Sequence, residues 1–118
     1  MLIDELASRV FAARDVAHRA HWATKSYSEH MALGAFYDDV IENIDAIVEA
    51  YQGEHGLIGN FSVVVPAVSN VVGYLKREAE WIADNRTAIS QGCTMIQNLI
   101  DGLSETYRTT IYKLVNLK

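Results

Sequence analysis

Two histidines, His21 and His30, close the run HWATKSYSEH at either end, and four carboxylates follow them: Asp38, Glu42, Asp45 and Glu49. Neutral imidazole and carboxylate together suit iron, zinc or manganese. The acids are spaced by four, three and four residues, so on a helix all four project from one side. His18 adds an imidazole one turn before His21, with Asp15 a further turn back, and three of the four histidines fall within thirteen positions. A charged stripe taken alone is commonly a solvated face. A histidine near a helix end is commonly a surface or core residue. The crowding of imidazoles around one turn, next to a carboxylate stripe, is what points to a metal.

Helices must position these groups. Apolar residues at helical spacing run from Ile3 to about Thr24 through Leu6, Val10, Ala13, Ala17 and Ala20, with Asp4 as a cap. A second helix is expected from an N-cap at Ser28 to about Gln52, on Leu33, Tyr37, Val40, Ile44, Ile47 and Tyr51, with Gly53 as its stop. The acidic stripe lies beside this apolar stripe, and His30 falls near their junction. The segment GEHGLIGNFSVVVPAVS holds three glycines, the only proline and a β-branched run, and reads as an extended crossover. A third helix is expected from about Ser69 to Arg86 and a fourth from near Gln91 to the end. A helix of roughly 25 residues is about 37 Å long. An extended link of about 13 residues spans roughly 40 Å, enough to return the chain to the other end of a bundle. The expected fold is therefore all-α: one domain over residues 1–118, a four-helix bundle, ferritin-like in having one long crossover between helices two and three.

Composition narrows the function classes. A chain of 118 residues, half of them apolar, can build a core without disulfides. A net charge of −5 with no basic run makes nucleic acid a poor partner. No apolar stretch is long enough to cross a bilayer, and Asp4 and Glu5 interrupt the start as no signal peptide would. Cys93 stands alone. The expectation is a cytoplasmic protein without membrane partners.

The run from His21 to Gly53 resembles the ferroxidase-site region of the Dps-like mini-ferritins, members of the ferritin-like superfamily. That family has His-Trp-x-x-Lys at the end of its first helix, matched by His21, Trp22 and Lys25. It has a second histidine followed by Asp and Glu fifteen and nineteen residues on, matched by His30, Asp45 and Glu49. The size of the chain and the run EHMALGAFY are also similar to those of short phage-encoded ferritin-like proteins of unknown function. The Dps resemblance implies an iron site between two subunits, with His21 and His30 from one copy and Asp45 and Glu49 from its two-fold partner. It implies a homo-oligomer joined through a two-fold helix–helix interface, and oxidation of Fe2+ to Fe3+ by oxygen or peroxide. Zinc or manganese are the alternative metals, and Trp22 would intercept radicals beside the site; on its residue type alone Trp22 is expected to be an amphipathic anchor packing across the turn. Three departures stand out. The histidines are nine apart where the family has twelve; Ser26 replaces a glycine; and Gly34 stands where the family has a further acid, leaving Asp38 or Glu42 to substitute.

Two other functions remain open on the residues alone. One is a ferritin-like bundle that has lost the metal and serves as a structural or interaction protein, for which Gly34 speaks. The other is a Mg2+-dependent all-α nucleotide pyrophosphatase, suggested by Glu42 and Asp45 with Glu80 and Asp84 on helix three. Trp81, off the helix-three stripe, is expected to pack on a partner subunit, and Tyr107 and Tyr112 to be core or interface residues.

Overall fold

Side-chain and glycine signals set where the four helices begin and end. The computed structural model describes residues 1–118 and contains α1 (Leu2–Ala23), α2 (Tyr27–His55), α3 (Val71–Ser90) and α4 (Thr94–Asn116). Helix α2 is capped by Ser26, not Ser28: the Ser26 hydroxyl accepts from the Glu29 N–H, and Glu29 places a carboxylate in the positive first turn. It also runs through Gly53. A glycine can sit inside a helix at a cost of about 1 kcal/mol. The chain leaves the helix only at Gly56, whose φ of 102° is a left-handed conformation that glycine adopts without strain. Asn70 caps α3 by accepting from the Gly73 N–H at 3.0 Å. Helix α3 continues past Arg86 to Ser90, and α4 starts at Thr94, so the α3–α4 link is only Gln91, Gly92 and Cys93. Asp4 caps nothing: Met1 is the N-cap residue of α1, without a side-chain cap bond.

Helix α1 packs on α2 and α3, and α4 packs on the same two. Helices α2 and α3 therefore stand diagonally across the bundle. Their directions follow from contacts at the ends. His55, the last residue of α2, reaches the Ser90 carbonyl at the end of α3, and Gln91 donates to the Tyr51 hydroxyl at 2.8 Å. The C-terminal ends of α2 and α3 thus lie together and the two helices run parallel. The crossover makes this possible. Ser62 sits beside Ser8, and Pro66, Ala67 and Val68 lie against Val16, Ala20 and Ala23. The strap accordingly climbs the outside of α1 from one end of the bundle to the other. This is the expected four-helix bundle with one long crossover.

The core is one apolar cluster drawn from all four helices. Phe36 and Tyr107 meet edge to face at 5.0 Å between centroids, both fully buried. Burying rings of this kind contributes roughly 2–3 kcal/mol each by area. No helix is long and apolar enough to cross a membrane.

Candidate functional site: the histidine turn

The turn between α1 and α2 is closed by its own histidines. The His21 Nδ1 lies 2.6 Å from the His30 carbonyl oxygen, and the His30 Nδ1 lies 2.8 Å from the His21 carbonyl oxygen. A carbonyl only accepts, so each Nδ1 carries the proton and donates. The rings are nearly parallel and 3.6 Å apart. Gly34 makes room for this arrangement. A β-carbon there would stand 3.1 Å from the His21 Cε1 and 3.3 Å from its Nδ1. The position where the resemblance expects an acid is thus the floor on which the His21 ring rests.

The other aromatic groups extend the stack. Tyr37 of α2 meets His21 edge-on at 5.3 Å and lies flat on His18 at 4.1 Å. Trp22 touches His18 at 4.5 Å but is 71% exposed, so it caps the stack from outside and does not anchor the turn in the core. Asp15 is turned away and pairs with Arg19 at 3.1 Å.

The carboxylates do not join this cluster. Asp38, Glu42, Asp45 and Glu49 are all exposed, and none forms an ion pair within the chain. At 1.5 Å rise per residue, Asp38 and Glu42 lie about 12 and 18 Å along α2 from His30, and Asp45 and Glu49 about 22 and 28 Å. No three His, Cys, Asp or Glu side chains in one chain come together in a way that could hold a metal. The residues present in one copy therefore do not fit a closed metal site, and carboxylates would have to come from another copy. The acids considered for Mg2+ do not converge either. Glu80 and Asp84 are exposed on α3, which stands diagonally from α2.

A second polar constellation lies half-buried between α1 and α3 and escaped the sequence reading. The Arg9 guanidinium of α1 donates from one nitrogen to both Glu78 oxygens of α3, at 2.9 and 3.1 Å, and lies 4.3 Å from the Trp81 ring centre. Trp81 thereby gains a cation–π contact within the chain. Burial pushes the Tyr74 hydroxyl up to about 12, helped by nearby Glu78. Burial raises Tyr107 further still, and its hydroxyl has no hydrogen-bond partner. The available signal was Arg9 itself, three residues after Leu6 and on the same apolar stripe. Tyr107 is a core residue, one of the two places expected for it, and Tyr112 is 58% exposed in the single chain. His55 ends α2 and holds the Ser90 carbonyl.

Comparison with known proteins places the chain among sequences without an assigned activity. It is 27% identical over 112 residues to an uncharacterized 14.6 kDa protein in the mobD-ri intergenic region of Enterobacteria phage T4, covering 94% of this chain and 86% of that protein. No solved structure matches the chain. The model of the DUF5856 family, a family of unknown function, matches residues 21–114, from the first histidine of the turn to the last turns of α4, and the chain belongs to that family.

Proposed function

We propose that the protein is a ferritin-like helical bundle that acts by association, as a structural or interaction protein, and not through a metal held in its own fold. The one-crossover topology supports the ferritin-like kinship. The reciprocal histidine lock carries the functional reading. Both Nδ1 atoms are spent on backbone carbonyls, the rings face each other, and Gly34 is shaped to the ring. These are the marks of a turn clasp. Thermal unfolding tests it: the transition should not move when Fe2+, Zn2+ or Mn2+ is added. A single site at a hundredfold excess over its Kd would add about 2.7 kcal/mol, so a rise of several degrees would overturn the reading.

One observation favours a second reading. Donation from Nδ1 leaves Nε2 as the lone-pair nitrogen of both rings, and metal-binding histidines are commonly oriented in this way. In that reading His21 and His30 of one copy and Asp45 and Glu49 of another would grip iron, zinc or manganese across a two-fold axis. Metal content and assembly mass measured together distinguish the two. Metal that co-purifies with a dimer and is lost in His30→Ala supports the second reading, and a metal-free assembly supports the first.

A further inference from the structure

We infer that the bare groove between α2 and α4, at the end of the bundle where α2 begins, is a docking site for an acidic amphipathic helix of another protein.

The chain covers one outer groove of its bundle and leaves the opposite one open. Val64 and Pro66 of the strap lie over Ser8, Arg9 and Ala12 of α1 and over Tyr74 and Glu78 of α3. The groove between α2 and α4 lies across the bundle from that one. Two hydrogen bonds bridge it: Ser28 donates to the Leu117 carbonyl at 3.0 Å near the end of the bundle, and Thr106 donates to Asn43 at 2.8 Å further along. It contains a hollow of about 450 Å³. The walls are rows at helical spacing, Tyr27, Met31 and Ala35 on α2 and Lys113 and Leu117 on α4. Tyr27 is 76% exposed, Met31 53% and Leu117 47%. An exposed apolar patch with a polar rim marks a site of association, and aromatic and methionine side chains are enriched in such contacts. From Tyr27 to Ala35 the hollow runs about 12 Å along α2, room for two turns of a third helix with apolar anchors at i and i+3 or i+4.

Charge decides what kind of helix fits. The chain carries −5 overall, yet three of its four lysines, Lys25, Lys113 and Lys118, stand at this end, exposed and outside any ion pair. Acids are sparse around them: α2 has only Glu29 before Asp38, and α4 has none after Glu105. Free ammonium groups around an apolar hollow are matched by carboxylates flanking an apolar stripe. The acidic ridge of a second copy does not provide that stripe. Its exposed residues from Asp38 to Glu49 are acids with Ala46 alone among them, so it brings charge without an anchor. A lipid surface receives side chains that protrude, whereas Met31, Ala32 and Ala35 lie in a recess between two helices.

The inference rests on the association reading and names the partner's chemistry. The test titrates the full chain into labelled probes and follows anisotropy. One probe is a peptide of about 18 residues with Leu at i, i+3, i+4 and i+7 and Glu elsewhere; a second has Lys for every Glu. The Glu peptide should bind with a micromolar Kd that weakens as salt is raised, and the Lys peptide about tenfold more weakly. Lys113→Glu and Met31→Asp should each weaken the Glu peptide about tenfold, with the helical circular dichroism unchanged, while Lys76→Glu on α3 leaves binding as it is. Failure of the Glu peptide to bind overturns the inference, as does equal binding of both peptides or an equal loss in Lys76→Glu. Tighter binding to phosphatidylserine vesicles or to a single-stranded oligonucleotide overturns it too. So does a dimer of the chain alone, seen by light scattering, that Met31→Asp dissociates. An unbound Glu peptide beside a thermal transition that metal does not move overturns this inference and leaves the association reading standing.

Discussion

At the scale of single residues, a missing β-carbon decides the character of the histidine turn. Gly34→Ala should gain about 1 kcal/mol of helix propensity, yet the new methyl would press on a His21 ring already confined by His30 and by its bond to a carbonyl. Losing two hydrogen bonds of about 1 kcal/mol each outweighs that gain. Urea denaturation should show a net loss of about 1 kcal/mol. Both Nδ1–H protons should be protected enough to be seen by NMR in the parent and should exchange with water in the variant. The histidines, their spacing and the acid stripe were legible in the sequence, but their relation was not. An imidazole can clasp a carbonyl with one nitrogen and keep the other for a ligand, and only the three-dimensional turn shows which atoms face which. Gly34 carried a signal that spacing alone could not interpret, since an absent ligand and room for a ring look the same in one letter. The Arg9–Glu78 pair was hidden for another reason: its partners are 69 residues apart, and no local period links them.

At the scale of elements, apolar periodicity located every helix, while the ends were set by contacts too local for periodicity to resolve. Ser26 and Ser28 are equally good caps by type, and only the bond to the Glu29 N–H separates them. Gly53 and Gly56 are equally good stops by type, and only the positive φ at Gly56 separates those. The cap of α3 matters most, because it fixes where the strap ends. Asn70→Ala should cost about 1 kcal/mol, measured by chemical denaturation, and should fray the first turn of α3 in amide exchange. Between α3 and α4, Arg86 and Asp101 form a bidentate pair at 2.6 and 2.8 Å on the surface. The hydrogen bond from Arg86 holds the Asp101 carboxyl below its ordinary range. Its small support for the α3–α4 packing is therefore present above that range and fades as pH falls through it.

At the scale of the whole molecule, two tyrosines make the bundle sensitive to alkali. Their hydroxyls titrate higher folded than unfolded, so the stability they contribute is complete below pH 10.0, the ordinary tyrosine value, and is lost as pH climbs toward about 12 and beyond. Unfolding curves at rising pH should show this loss, with tyrosinate absorbance for these two residues appearing only as the fold opens. Tyr107→Phe removes a buried hydroxyl that bonds to nothing. It should leave stability at neutral pH equal or up to about 1 kcal/mol higher, and it should shrink the alkaline loss. The parallel course of α2 and α3 has a mechanical consequence as well. Met1 lies near Tyr51 at one pole, and Leu117 reaches Ser28 at the other, along a body 44 Å long. A bundle without the crossover would bring residues 1 and 118 out side by side. Here a load applied between them pulls along the helix axes, so the packed rods must slide past one another under shear before any of them can peel away.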